Sequence, residues 1–243
     1  MNEERETADI ESSSDEYATR FAGKTGEWML SVQERITLEF LGAAPRTSVL
    51  DVGGGHGQLA VPLCREGYRV TVLGSDETCR RRISSIVDSG QCEFVVGNVI
   101  DLPFKDASFD AVISFRMLTH CRRWSKLVSE LCRVTRGPVI VDYPTSQSVN
   151  RIAPALFGAK KKLEGNTRTW QLFRHEEVLR EFERNGFTTA RRDAQFFMPM
   201  VLHRTLKCPR LSAALERICG RTGLTKRWGS PVIVEMVGKG KGS

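Results

Sequence analysis

No stretch of this sequence holds the roughly 18–20 consecutive apolar residues that a bilayer-spanning helix needs. The opening MNEERETADIESSSDEY is acidic and polar, without the basic start and apolar run of a signal peptide, so the expectation is a cytoplasmic protein with no membrane span. Paired cysteines are lacking too. The seven cysteines stand at 64, 79, 92, 121, 132, 208 and 219, an odd number with no CxxC spacing. Neither a disulfide framework nor a zinc site follows, and no metal is expected. Acids are scarce beyond the first turn of the sequence: residues 1–16 hold seven acids and one Arg, a charge of −6. The whole chain carries +7, which leaves +13 for the remainder.

Hydrophobic residues make up 40% of the 243, enough for an ordinary core, and the length suits one α/β domain. Residues 1–16 read as a disordered acidic tail, and 17–243 as a single domain. From Thr25, the residues Trp28, Val32, Ile36 and Phe40 recur every fourth position and predict a helix that Gly42 and Pro45 end. Short Val/Ile-rich runs then alternate with helical patterns: SVLDVG (48–53), YRVTVL (68–73), CEFVVG (92–97), FDAVIS (109–114) and PVIVDY (138–143). Continuous apolar strands separated by helices predict a doubly wound, mainly parallel Rossmann-like α/β sheet over 48–143. A helix follows over 175–187, extended chain after it, and PVIVEMVG (231–238) makes an antiparallel last strand.

Two segments interrupt this pattern. Residues 144–170 and 201–230 are basic: 144–175 carries six Lys/Arg against one Glu, and 200–228 carries seven against Glu216. Leu211, Ala214, Leu215 and Ile218 fall at helical spacing with Arg210, Arg217 and Arg221 beside them, which predicts an amphipathic helix. Two placements are open for it. Its apolar stripe packs on its own domain, or it joins 144–170 as a basic cap that draws in an anionic acceptor.

The chemistry rests on VLDVGGGHGQLA (49–60). A strand ends at Asp51-Val52, and Gly53, Gly55 and Gly57 follow at every second position before a helix. In an open parallel sheet the ligand sits beyond the carboxyl ends of the strands, and this first turn receives a nucleotide-like cofactor. The dinucleotide fingerprint GxGxxG is incomplete, because its sixth position is Gln58. DxGxGxG stands instead, and its acid suits a cofactor that carries cationic sulfonium and ammonium groups.

With VVGNVIDLPFKDASFDAVIS (95–114), FRMLTHC (115–121) and GPVIVDYP (137–144), the chain resembles the class I S-adenosylmethionine-dependent methyltransferases, in particular a small-molecule group that includes quinone-biosynthesis enzymes. The resemblance covers about 48–145. It implies S-adenosylmethionine as cofactor and transfer of its methyl group to an unidentified small-molecule acceptor. It implies that Asp51, Gly53, Gly55 and Gly57 line the methionine end of the cofactor, that Asn98 and Val99 hold the adenine, and that Ser114 lies near the methionine and acceptor. The family's ribose-gripping acid falls in register on Gly74, in the cofactor loop Gly74, Ser75 and Asp76. The two nearest acids are Asp76 and Glu77, and it is Asp76 that substitutes for it, unless Ser75 or Asp76 only caps the next helix. His120 matches the second histidine of an LHH-like run and is the candidate general base. Arg116, just past Ser114, is a candidate for holding an acceptor carboxylate or phosphate. Tyr17, Arg20 and Phe21 precede the first helix, where family members fold a segment over the cofactor. The basic stretches keep a nucleic-acid methyltransferase or binding protein as an alternative, although SFRM stands where an NPPY-like motif is usual and no RNA-binding module is recognisable. Gly74 keeps open a cofactor-binding protein without catalysis.

Overall fold

The computed structural model describes residues 5–42, 47–148 and 171–240. The basic stretch 149–170, most of the expected cap segment, lies outside the described residues. Seven strands form one sheet in the order β3-β2-β1-β4-β5-β7-β6. They are β1 Ser48–Val52, β2 Arg69–Gly74, β3 Cys92–Val96, β4 Ala111–Ser114, β5 Val139–Tyr143, β6 Phe187–Ala194 and β7 Val232–Gly238. β1 to β5 pair in parallel, and β7 runs antiparallel between β5 and β6. This is the doubly wound sheet with an antiparallel last strand that the Val/Ile runs predict.

Both faces of the sheet are covered, which is why its central strands carry apolar residues without alternation. On one face Ile36 and Phe40, from helix α3 (Gly23–Leu41), pack with Leu59 and Leu63 against Val49, Val70 and Val72. Leu63 belongs to α4 (Ala60–Arg65). On the other face Leu127 and Leu131 of α6 (Trp124–Val134) join Phe182 of α7 (His175–Arg184) against Leu50, Val112 and Val139. Between β2 and β3 the chain forms a 3-10 turn, Glu77–Ile83, and the short helix α5 (Ser84–Asp88).

Two expectations are corrected. The acidic start is not disordered over residues 5–16: it forms α1 (Ala8–Ser12) and most of α2 (Asp15–Thr19), and Asp9 is 0% exposed. The physical reason is pairing across the chain. Arg5 Nη1 donates to the Ser75 carbonyl (2.8 Å), Arg123 donates to Glu6 (3.3 Å), and Asp15 takes ion pairs from Arg81 and from Arg82 (2.9 Å). The second correction concerns the inserted segment. It forms α8 (Met200–Leu206), α9 (Pro209–Arg221) and α10 (Leu224–Trp228), as its spacing predicts, but α9 does not bury its apolar stripe. Leu211 and Ile218 are 46% and 59% exposed, while Ser212 is 0% exposed. Glu216 holds that inward face, accepting from the Phe197 and Met198 amides (2.8 and 2.9 Å) and pairing with buried His203 (2.9 Å).

Candidate functional site

The turn after β1 is built by glycine. Gly53 and Gly57 have φ of +79° and +72°, the left-handed region open to glycine. Gly53 N donates to the Leu73 carbonyl (2.8 Å), which ties the turn to β2. Side chains are excluded at Gly54 and Gly55, two of the three positions between. A Cβ on Gly54 would lie 2.0 Å from Asp51 Oδ2, and one on Gly55 would lie 2.3 Å from the Cys79 carbonyl and 2.6 Å from Ser13 Oγ. Gly54, which the every-second-residue pattern passes over, is therefore as constrained as its neighbours.

Asp51 is 0% exposed, and neither carboxylate oxygen has a hydrogen-bond partner among the described residues. Burial lifts its carboxyl from the ordinary 3.8 to about 7. Next to it His56 is buried, and its Nδ1 accepts from the Gln58 amide (3.2 Å), which leaves the proton on Nε2. Burial and then the charges of Arg116 and Arg82 push His56 down to about 3, so it stays neutral. Its Nε2 and the buried Ser13 Oγ have no partner. Buried polar groups are normally paired, so this convergence of orphaned donors with an orphaned carboxylate at the carboxyl ends of β1 and β2 marks a ligand cradle.

The loop after β2 shows why its usual acid is missing. A Cβ on Gly74 would stand 2.8 Å from Cys79 Cβ and 2.8 Å from Phe94 Cζ, so an acidic side chain has no room. Asp76 is half-buried and caps the following turn, accepting from Thr78 N (2.9 Å) and Thr78 Oγ1 (2.8 Å). A carboxylate arrives there from elsewhere. Asp9 of α1 accepts from Ser75 N (2.7 Å) and Ser75 Oγ (2.5 Å). The cap reading thus holds for Asp76, and the acid beside Ser75 is one that no local motif contains.

Asn98 is half-buried, and its Oδ1 accepts from the Ile100 amide (3.4 Å). Val99 is wholly buried in the core cluster. Ser114 donates its hydroxyl to the Val52 carbonyl (3.0 Å), so it braces β4 against β1. Arg116, directly beyond, has φ +62°, a strained backbone for a residue with a side chain. Its amide donates to Asp142 Oδ1 (2.5 Å) and its Nη2 to Gln33 Oε1 (3.0 Å). The guanidinium lies 4.2 Å from the centroid of Phe21 and 5.7 Å from that of Tyr17, while Nη1 has no partner. A freely solvated arginine is excluded. Burial raises Asp142 to about 6, against the opposing pull of the Arg116 amide and charge. His120 is half-buried in the turn after Arg116, its amide donating to the Met117 carbonyl (3.0 Å).

The structure thus brings Asp51, the glycines, Ser75 and Arg116 to one end of the sheet, and adds Asp9, Ser13 and Gln33, which no local motif marks, with His56 and Asp142, which lie within the motifs 49–60 and 137–144 but are not singled out by them. A separate cleft of about 480 Å³ opens at the opposite end of the strands, lined by Ser48, Arg69, Cys92 and Arg136, and shares no residue with this cradle.

Residues 50–138 match the model of a methyltransferase-domain family. The chain is 32% identical over 125 residues to a demethylmenaquinone methyltransferase of Renibacterium salmoninarum, covering 49% of this chain and 48% of that protein. It is 33% identical over 121 residues to a 2-phytyl-1,4-naphtoquinone methyltransferase of a Nostoc species, covering 45% of this chain and 53% of that protein. The chain spans about half the length of these curated relatives. In fold it is similar to the magnesium protoporphyrin IX methyltransferase of Synechocystis solved with bound SAH, with a TM-score of 0.62, 15% identity and 92% of each chain covered.

Proposed function

We infer that this chain, whose residues 50–138 match a methyltransferase-domain family model, is a class I S-adenosylmethionine-dependent methyltransferase that binds S-adenosylmethionine at the turn after β1 and transfers its methyl group to a small-molecule acceptor. One observation carries the reading: the buried carboxylate of Asp51, unpartnered under a turn that admits no side chain at Gly54. A buried carboxylate needs a cation or a donor, and the cofactor's ammonium fits this acceptor. Bound there, S-adenosylmethionine supplies a methyl carbon made electrophilic by its sulfonium.

The residues divide the remaining work. Asp51 receives the ammonium, and His56 Nε2–H and the Ser13 hydroxyl stand as neutral donors beside it. Asp9 supplies the carboxylate for the ribose hydroxyls in place of the side chain that Gly74 lacks, with Ser75 holding it. Asn98 and Val99 form the adenine end, and Ser114 fixes the wall between β1 and β4. Arg116 offers Nη1 to an anionic group of the acceptor, with Gln33 and Asp142 setting its orientation. Tyr17 and Phe21 cover Arg116 and keep water from it. His120 takes the proton when the acceptor is a hydroxyl. Alignment and exclusion of water account for most of the rate, because the leaving group is already activated. Relatives named for quinone substrates support a small-molecule acceptor.

Calorimetric titration tests this. S-adenosylmethionine and its demethylated product are expected to bind and to raise Tm, by mass action, and NAD is expected to do neither. Stabilisation by NAD alone would overturn the assignment.

A further inference from the structure

Seven large hydrophobic side chains stand exposed among the described residues, and five of them fall in one inserted segment: Leu202, Leu206, Leu211, Ile218 and Trp228. Large apolar side chains left exposed along one segment, unlike ones scattered singly, point to an interaction surface. The helices are not loosely attached. Trp28 of α3 packs on Phe196 (5.3 Å) and on His203 of α8 (5.1 Å), α9 packs on α3, and α10 on β6. The outward turn of the stripe is therefore set by the fold: Ser212 and Glu216 anchor one side of α9 inward, and Leu211 and Ile218 face out as a result.

The charge around the patch selects the partner. Arg210, Arg217 and Arg221 run along α9 beside the apolar stripe, and all three are exposed. Lys207, Lys226 and Arg227 are exposed on the same segment. Its single acid, Glu216, faces inward on amides and His203. An apolar stripe flanked by cations, with no outward acid, is the pattern of a helix that lies in the headgroup layer of an anionic membrane. A protein partner would be expected to meet charges of both signs along so long a rim.

We propose that α8 to α10 dock this protein on an anionic lipid surface, with Leu202, Leu206, Leu211, Ile218 and Trp228 entering the acyl boundary and the arginine row of α9 meeting lipid phosphates. The proposal is independent of the methyl-transfer reading, because none of these side chains belongs to the cradle at the ends of β1 and β2.

Vesicle co-sedimentation of the full chain tests it. Wild type is expected to sediment with vesicles of phosphatidylcholine mixed with phosphatidylglycerol, to stay in solution with phosphatidylcholine alone, and to be released by added salt. Leu211→Ser with Ile218→Ser is expected to weaken binding by roughly tenfold or more. Arg210→Gln with Arg217→Gln and Arg221→Gln should weaken it on the order of a hundredfold. All five side chains are exposed, so Tm is expected to hold in both variants, and that measurement separates lost docking from lost fold. Absence of binding to the anionic vesicles overturns the proposal. So does binding that survives the serine pair, which would make the attraction one of charge alone. Sedimentation equilibrium without lipid supplies the other arm: a dimer that the serine pair dissociates would assign the stripe to a second copy of the chain and overturn the lipid surface.

Discussion

Asp51 couples the site to pH. Its carboxyl is held near pH 7 by burial, against an ordinary 3.8. The folded chain therefore keeps this proton over a range where the unfolded chain has lost it. The group's contribution to stability is whole below the ordinary value and is lost as pH rises through about 7, a difference of about 4 kcal/mol. An ammonium seated on Asp51 favours the ionised form, so affinity for S-adenosylmethionine is expected to rise up to about tenfold per pH unit between about pH 5 and 7 and then level off. Asp142 titrates nearby, at about 6, so the assignment comes from Asp51→Asn, which should flatten the profile. His56 does not contribute, since it stays neutral down to about 3. An unchanged slope in Asp51→Asn would move the cation to another site. The second residue-scale expectation separates two acids. Asp9→Asn should weaken cofactor binding by on the order of 1.5–3 kcal/mol, the range for a hydrogen bond to a charged group. Asp76→Asn should leave affinity unaltered, because Asn caps a turn nearly as well. The opposite ranking in titration calorimetry would return the ribose to Asp76.

At the scale of elements, the N-terminal arm is the part whose behaviour conditions should change. α1 and α2 are held to the domain largely by ion pairs and charged hydrogen bonds: Arg5 to the Ser75 carbonyl and Asp15 to Arg81 and Arg82 in the segment after β2, and Glu6 to Arg123 at the start of α6. Each exposed pair is worth little alone, typically below about 1 kcal/mol, and added salt screens it. Tryptic cleavage after Arg20 is therefore expected to speed up several-fold between about 0.05 and 0.5 M salt, measured against a control substrate. Bound cofactor should slow it again, since Asp9 and Ser13 border the cradle. A rate indifferent to both would mean that apolar contacts such as Tyr17, 8% exposed, hold the arm. The arm also shows where sequence reading stops. Its acids have the composition of a disordered tail, and nothing within sixteen residues contradicts that. The partners stand 66 positions away for Asp9 and 117 for Glu6.

For the whole molecule, most of the sheet was legible because β1 to β5 and β7 are Val/Ile-rich runs and the first turn is marked locally by DVGGGHG, whereas β6, FTTARRDA, holds neither residue and reads only as extended chain. The turn glycines and Asp51 were legible for the same reason: strand, turn and helix lie within one short window. The acid that β2 lacks was not, because a carboxylate can be delivered from any part of the chain that reaches Ser75. The inserted helices were half legible. Spacing gave α9 as an amphipathic helix, but periodicity does not say which side meets the domain, and here Glu216 reverses the usual choice by binding two amides. The sheet order has a consequence for the birth of the chain. β7, the last of the described strands in chain order, is the one that lies between β5 and β6. Until Val232–Gly238 emerges, Val139–Tyr143 and Phe187–Ala194 wait with facing edges unjoined, and such edges recruit strands from other nascent chains. A chain cut shortly before that strand would hold the turn after β1 complete and its sheet still open, so the closing of the sheet waits on β7 alone.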